Sequence, residues 1–160
     1  MKKINKILAC IDFSEYSLMV LKYAVDLVKE SNAQIVVYNV INKRDVEKVE
    51  IVSKHSSDKI SVENYVNDQK KERQRMISEM IKEYFFGKKI NMSFIVDVGI
   101  PSIQILKIIE TESVDLVVMA NKGRGNISRF LFGSAAEKVF RHSPVTVVSV
   151  RDREKFIREE

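Results

Sequence analysis

"KILACIDFSEYSLMVLKYAVDLVKESNAQIVVYNVIN", residues 6–42, holds two apolar runs with one helical pattern between them. Ile7–Ile11 is short and unbroken, the pattern of a strand covered on both faces. Asp12 ends it, and Ser14 is placed to cap the helix that follows. In that helix Leu18, Leu21, Val25 and Val28 share one face, which predicts packing against a sheet. Ser31, Asn32 and Ala33 break the helix, and Gln34–Ile41 form a second buried strand.

Working outward, residues 42–71 are polar and lack a clean period. They are expected to form a solvated connection, with "KHSSDK" (54–59) as a mobile loop. From Glu72 the pattern sharpens: Met76, Ile77, Met80, Ile81, Tyr84 and Phe85 mark an amphipathic helix. Gly87, followed by Lys88 and Lys89, stops it. In residues 90–98, Ile90, Met92, Phe94, Val96 and Val98 alternate with mostly polar neighbours, the pattern of an edge strand. Pro101 sits near the first position of a helix, where no backbone donor is missed, and Ile105, Ile108 and Ile109 give that helix its buried face. Val114–Ala120 make a fourth strand, a helix ends near His142, and residues 143–150 supply a fifth strand.

Strands alternating with helices predict an α/β fold: a single five-stranded parallel sheet with helices on both faces. With the third strand at an edge, the order is 3-2-1-4-5, and strands 1 and 4 flank the point where the order reverses. Ligands in such sheets sit there, beyond the strand C-termini. Asp12 ends strand 1, and a glycine-rich stretch follows strand 4. The fifth strand, with Val145, Val147, Val148 and Val150, is the other edge, and its uncovered backbone predicts a homodimer through residues 145–150. Residues 1–150 read as one domain and 151–160 as a charged tail.

The composition agrees. At 160 residues, folding buries about 70% of the extended chain's surface. A chain that is 45% apolar then needs neither disulfide nor metal to hold a core. The single cysteine, Cys10, lies inside an apolar run and fits a reducing cytosol. The basic start is followed by too short an apolar run for a secretion signal, and no run suits a membrane span. A cytoplasmic protein without a membrane partner is expected. The net charge of +5 is spread among 22 acidic residues, so no nucleic-acid surface is expected either.

"MANKGRGNISRFLFGSAAEKVFRH", residues 119–142, holds Gly123, Gly125 and Gly133 of the chain's five glycines. It matches neither GxxxxGK with Ser or Thr nor GxGxxG, because Ser128 stands where the third glycine belongs. Another arrangement works. Gly123 permits close approach of backbone to a ligand, and Gly133-Ser134 opens a helix whose free N–H groups attract anions. Two such patches can grip a polyphosphate. The alternative is structural: Ser134–Glu137 reads as a capping box, which satisfies those N–H groups without a ligand.

The chain resembles the universal stress protein family over nearly its whole length, in "KILACIDFSEYS", "VVYNVI", "VGIPSIQI", "VDLVVMANKGRG" and "LFGSAAEKVFRHSPVTVVSV". ATP-binding members of that family, whose fold is like that of adenine nucleotide α-hydrolases, carry Gly-x-x-Gly-x9-Gly-Ser or Gly-Thr after strand 4. Gly123 matches the second glycine and Gly133-Ser134 the final pair, while Ala120 replaces the first. If position 120 needs positive φ, alanine costs roughly 1 kcal/mol; if the glycine only makes room, a methyl group fits with a small shift. Ala120→Gly is expected to tighten binding. The resemblance implies ATP with Mg²⁺, adenine between the ends of strands 1 and 2, Asp12 on the nucleotide, and the Val40 backbone reading the base edge. Ile11, Val40 and Met119 would form apolar walls, and Gly133, Ser134 and Ala135 would face the phosphates. Lys122 and Arg124 flank Gly123, and Asn126 and Ser128 stand either to donate to phosphate oxygens or to cap the local turn.

Fast hydrolysis needs a positioned water, a base and transition-state cations. His55 and His142 lie in the polar connection and at a helix end, so at most slow turnover is expected. Two readings follow from the resemblance: a stress-response regulator that binds ATP and signals through a protein partner, or a dimer that acts through protein contacts alone. An α-phosphate enzyme would carry a glycine pair after strand 1, which Ile11–Ser17 lacks.

Overall fold

The computed structural model describes residues 3–57, 61–122 and 133–152. Strand β1 (Lys6–Cys10) lies in the middle of a sheet, with β2 (Gln34–Asn42) and then β3 (Met92–Gly99) on one side, and β4 (Leu116–Ala120) and then β5 (Thr146–Val150) on the other. Every pairing is parallel, and β3 and β5 are the edges. The order β3-β2-β1-β4-β5 is the one that the alternating β3 pattern predicts.

The central strands bury both faces because their apolar runs leave no polar side to expose. Alternate residues then feed two cores. Helix α1 (Ser17–Val28) covers one face, where Ile7, Ala9, Ile35, Val37 and Val118 meet Leu21, Val25 and Val28. Helix α4 (Pro101–Thr111) and helix α5 (Ser134–His142) cover the other, where Leu8, Val36, Tyr38 and Val117 meet Ile105, Ile108, Ile109 and Val139. Each such side chain contributes roughly 1.5–3 kcal/mol by leaving water. On the second face the Tyr38 hydroxyl donates to Asp97 Oδ2 at 2.8 Å, and burial together with that carboxylate raises the phenol pKa.

The polar stretch 42–71 departs from its expected form. It contains helix α2 (Lys43–His55) and the beginning of helix α3 (Val62–Phe85), which starts ten residues before Glu72. α2 fully buries no residue; Val46 and Val49, one turn apart, are only half-buried, so its apolar face is slight. Caps and charge spacing mark it instead. Asn42 Oδ1 accepts from the Arg44 amide, and Lys43–Glu47 and Glu50–Lys54 pair one turn apart. Ser61 accepts from the Asn64 amide at the start of α3. α3 buries Ile77 and Phe85, whereas Tyr84 points outward, with Lys22 over its ring. Gly87 takes a left-handed φ of 76°, as its place after a helix requires.

Ser14 also differs from its expected role. α1 begins two residues later than the Ser14 cap implies, and the Ser14 hydroxyl accepts from the Tyr16 amide within the preceding turn.

Candidate functional site

At the C-terminal end of the sheet, where the order reverses between β1 and β4, lies a cleft of about 570 Å³. That size suits a small organic ligand. Its wall carries Ile11, Asp12, Val40, Met119, Ala120, Lys122, Gly133, Ser134 and Ala135. Nine residues singled out from the sequence are thus brought to one place. Gly123 and Arg124, with Gly125, Asn126 and Ser128, lie outside the described residues.

Asp12 lies two residues past Cys10, the last residue of β1. Its Oδ1 accepts from the Ser14 amide at 3.0 Å and the Ser17 hydroxyl at 3.4 Å, which fixes the carboxylate against the start of α1. Phe13 next to it holds a φ of 60°, a conformation that costs a non-glycine residue roughly 1–2 kcal/mol. Backbone strain of this kind gathers at functional sites.

The position of Val40 follows from strand alternation. The Gln34 amide donates to Asn5 O and the Ile11 amide to Tyr38 O, so the backbone groups of residues 34, 36, 38 and 40 face β1. The β1–β2 pairing ends at Cys10 and Tyr38. The Val40 amide and carbonyl therefore project past the end of β1, over the cleft. Asn39, buried beside it, donates through Nδ2 to Ile11 O at 2.8 Å.

Arg73 is a residue that the sequence does not single out. It reaches down from α3, and its Nη1 donates to Asn39 Oδ1 at 2.8 Å and lies 3.4 Å from Val40 O. Its guanidinium also sits over the Phe13 ring, 5.9 Å from the centroid. Arg44, Asp45, Ser102 and Lys138 likewise line the cleft without having been predicted. Arg44 and Asp45 had a signal, since they directly follow β2. The cations Arg44, Arg73, Lys122 and Lys138 outnumber the acids Asp12 and Asp45, so the lining favours an anion.

Ala120 closes β4 in register with Val150. It is not among the described residues with positive φ, so alanine causes no backbone strain there. Only the volume of its methyl group bears on a ligand. Ala120→Gly is therefore expected to change nucleotide affinity by no more than about twofold, a revision of the tightening expected from the sequence, which calorimetry on the two proteins would check.

The capping box does not form. Gly133 is the N-cap of α5, with φ −69° and ψ 153°, and Ser134 is the first helical residue, with no side-chain cap. Glu137 pairs with Arg141 at 3.0 Å instead of reaching back. The Gly133 amide donates to Asn121 O at 2.7 Å. The amides of Ser134 and Ala135 belong to the open first turn of the helix, whose donors have no intrahelical acceptor.

Cys10, partly accessible where it lines the cleft, has its thiol pushed up to about 12 by burial, so it stays protonated at neutral pH. His55 Nδ1 donates to Ile51 O, 2.8 Å away, on an exposed helix, and neither His55 nor His142 lines the cleft. Among the described residues no group of three or more His, Cys, Asp or Glu is placed to hold a metal ion, and no helix is long and apolar enough to cross a membrane.

This parallel sheet, with its crevice at the reversal of strand order, is that of a nucleotide-binding-type α/β domain. The model of the universal stress protein family matches residues 3–151, and the chain belongs to that family. It is 32% identical over 152 residues to universal stress protein MJ0577 of Methanocaldococcus jannaschii, an alignment covering 90% of this chain and 94% of the relative. The solved structure of the MJ0577 protein superposes with a TM-score of 0.78 at 27% identity, covering 94% of this chain and 97% of that one. A universal stress protein solved in complex with cAMP has the same fold, with a TM-score of 0.61 at 19% identity and coverage of 94% and 98%.

Proposed function

We propose that this protein is a stress-response regulator that binds ATP in the cleft and signals through contacts with a protein partner. One observation carries the reading: a cationic cleft of nucleotide size joins the outward-facing Val40 backbone to the uncapped start of α5. The Val40 N–H and C=O offer a donor and an acceptor to the edge of adenine, and Asp12 accepts from a ribose hydroxyl. Ile11 and Met119 give apolar walls. The amides of Ser134 and Ala135, with the Ser134 hydroxyl and Lys122, bind phosphate oxygens. Asp12 and Asp45 are carboxylates within the same cleft, compatible with Mg²⁺ carried in on the phosphates. That ion would shield the triphosphate charge. A related protein solved with cAMP supports an adenine nucleotide as the ligand class.

The test begins with protein stripped of nucleotide by unfolding and refolding. Titration with Mg-ATP by calorimetry is expected to show one site per chain. No heat at millimolar ATP would instead favour the reading in which the protein acts through contacts alone. Chromatography of what denatured protein releases would show which adenine nucleotide it carries.

Among the described residues β5 is an edge strand with no neighbour beyond it, which supports a homodimer. Asn121 N donates to Val150 O, so by alternation the backbone of Thr146, Val148 and Val150 faces β4, and that of Val147 and Ser149 faces outward. Val147→Pro would remove an outward donor and leave the β4 ladder untouched. Light scattering is expected to give a dimer for the unaltered chain and a monomer for this variant. A monomer in both would overturn the dimer.

A further inference from the structure

The cleft draws its lining from the two faces of the sheet. On the α1–α3 face Asp12, Ser17 and Arg73 stand among the apolar Ile11, Val20 and Ala120. On the α4–α5 face Cys10, Tyr38, Val40, Ile105, Met119 and Ala136 all belong to the second core and also line the cleft. That half is an apolar recess suited to a flat ring.

A polar side chain from α4 interrupts it. Ser102, the second residue of α4, is 3% exposed, and it lines the recess between Pro101 and Ile105. Its hydroxyl has no hydrogen-bond partner among the described residues. It is also absent from the described side-chain oxygens that are sealed from solvent without a partner, so its oxygen is open to the cleft. A hydroxyl buried without a partner costs free energy, whereas one facing a ligand acceptor is satisfied on binding. α4 strengthens the donor character of the place. Its N-cap is Ile100, whose side chain makes no cap bond, so the first-turn amides present the positive end of the helix here.

We propose that Ser102 is a specificity-determining residue: its hydroxyl donates to a purine ring nitrogen of the base held in the apolar recess. The assignment rests on the cleft being the nucleotide site. It goes beyond it by adding a second point of base recognition, on α4, to the edge read by Val40. A purine packed on Ile105 and Met119 lies with its edges toward the recess walls. Val40 reads one edge from the end of β2, and Ser102 meets an acceptor on another.

The experiment is calorimetry on stripped protein with four ligands: Mg-ATP, 7-deaza-ATP, 3-deaza-ATP and inorganic tripolyphosphate, which has no base. In the unaltered protein one of the two deaza analogues is expected to bind about 5–10-fold more weakly than ATP. Ser102→Ala is expected to weaken ATP by the same factor, to abolish the difference between ATP and that analogue, and to leave tripolyphosphate unchanged. Ser102→Cys, which keeps the volume with a weaker donor, should behave like the alanine variant. Equal ATP affinity in the unaltered and Ser102→Ala proteins would overturn the assignment while leaving the nucleotide site standing. So would an equal loss for ATP and tripolyphosphate, which would mark a general distortion. Failure of the unaltered protein to bind ATP would overturn both.

Discussion

Gly133→Asp is expected to abolish ATP binding and to leave the fold intact. Gly133 has φ −69° and ψ 153°, an extended conformation open to any residue, and its amide bond to Asn121 O does not depend on the side chain. Aspartate is also a favoured N-cap, so α5 itself gains a partner for its first turn. That gain is the harm to the ligand. The carboxylate would take the amides meant for phosphate and add a like charge beside it. Two unit charges at 4 Å repel by roughly 4 kcal/mol in a medium of intermediate dielectric. A loss of at least about 100-fold in affinity follows. Calorimetry reads the affinity, and a thermal melt at or above that of the unaltered chain shows that folding is spared. Retained binding would mean that the phosphates lie elsewhere.

The second large effect is on stability. Ile77→Ala is expected to cost about 3 kcal/mol in urea unfolding, near the middle of the range for a truncated core isoleucine. Ile77 is 0% exposed and belongs to the first core, yet it sits on a helix whose described surface is otherwise mostly polar. Only Ile77 and Phe85 are fully buried among its residues, so few contacts share the load. Met76→Ala, one position away on a half-buried site, should cost less than about 1 kcal/mol. The contrast matters for the cleft, because Ile77 holds in place the helix that delivers Arg73 to Asn39. Equal losses for the two variants would show that α3 is not anchored as described.

What could be read in the sequence, and what could not, follows from where the information lies. Four of the strands were legible as short, mostly apolar runs, and the weak alternation in residues 90–98 was enough to put β3 at an edge and so to order the sheet. Asp12 was placed by the end of the first apolar run, Gly133 by the spacing of the scarce glycines, and Val40 by the family resemblance. α2 was missed because its apolar face is slight, with Val46 and Val49 only half-buried; its clearer record is in Asn42 and in charges four apart. Arg73 was hidden for a different reason. It is one cation in a run of them, and only the path of α3 across the sheet singles it out. The reading of Ser134 as a cap stood open in the sequence because a capping box and an uncapped helix starting one residue earlier share the same letters.

The 2.7 Å bond from Gly133 N to Asn121 O has a thermodynamic consequence. It fastens together the two ends of residues 122–132 before any guest arrives. The entropy of closing that ring is lost once, when the chain folds, and is not charged again at each binding event. Lengthening the ring would tax folding by only a few tenths of a kcal/mol, because closure grows slowly with the logarithm of length. Cutting the knot at its base would shift the whole closure cost onto the guest and weaken its hold.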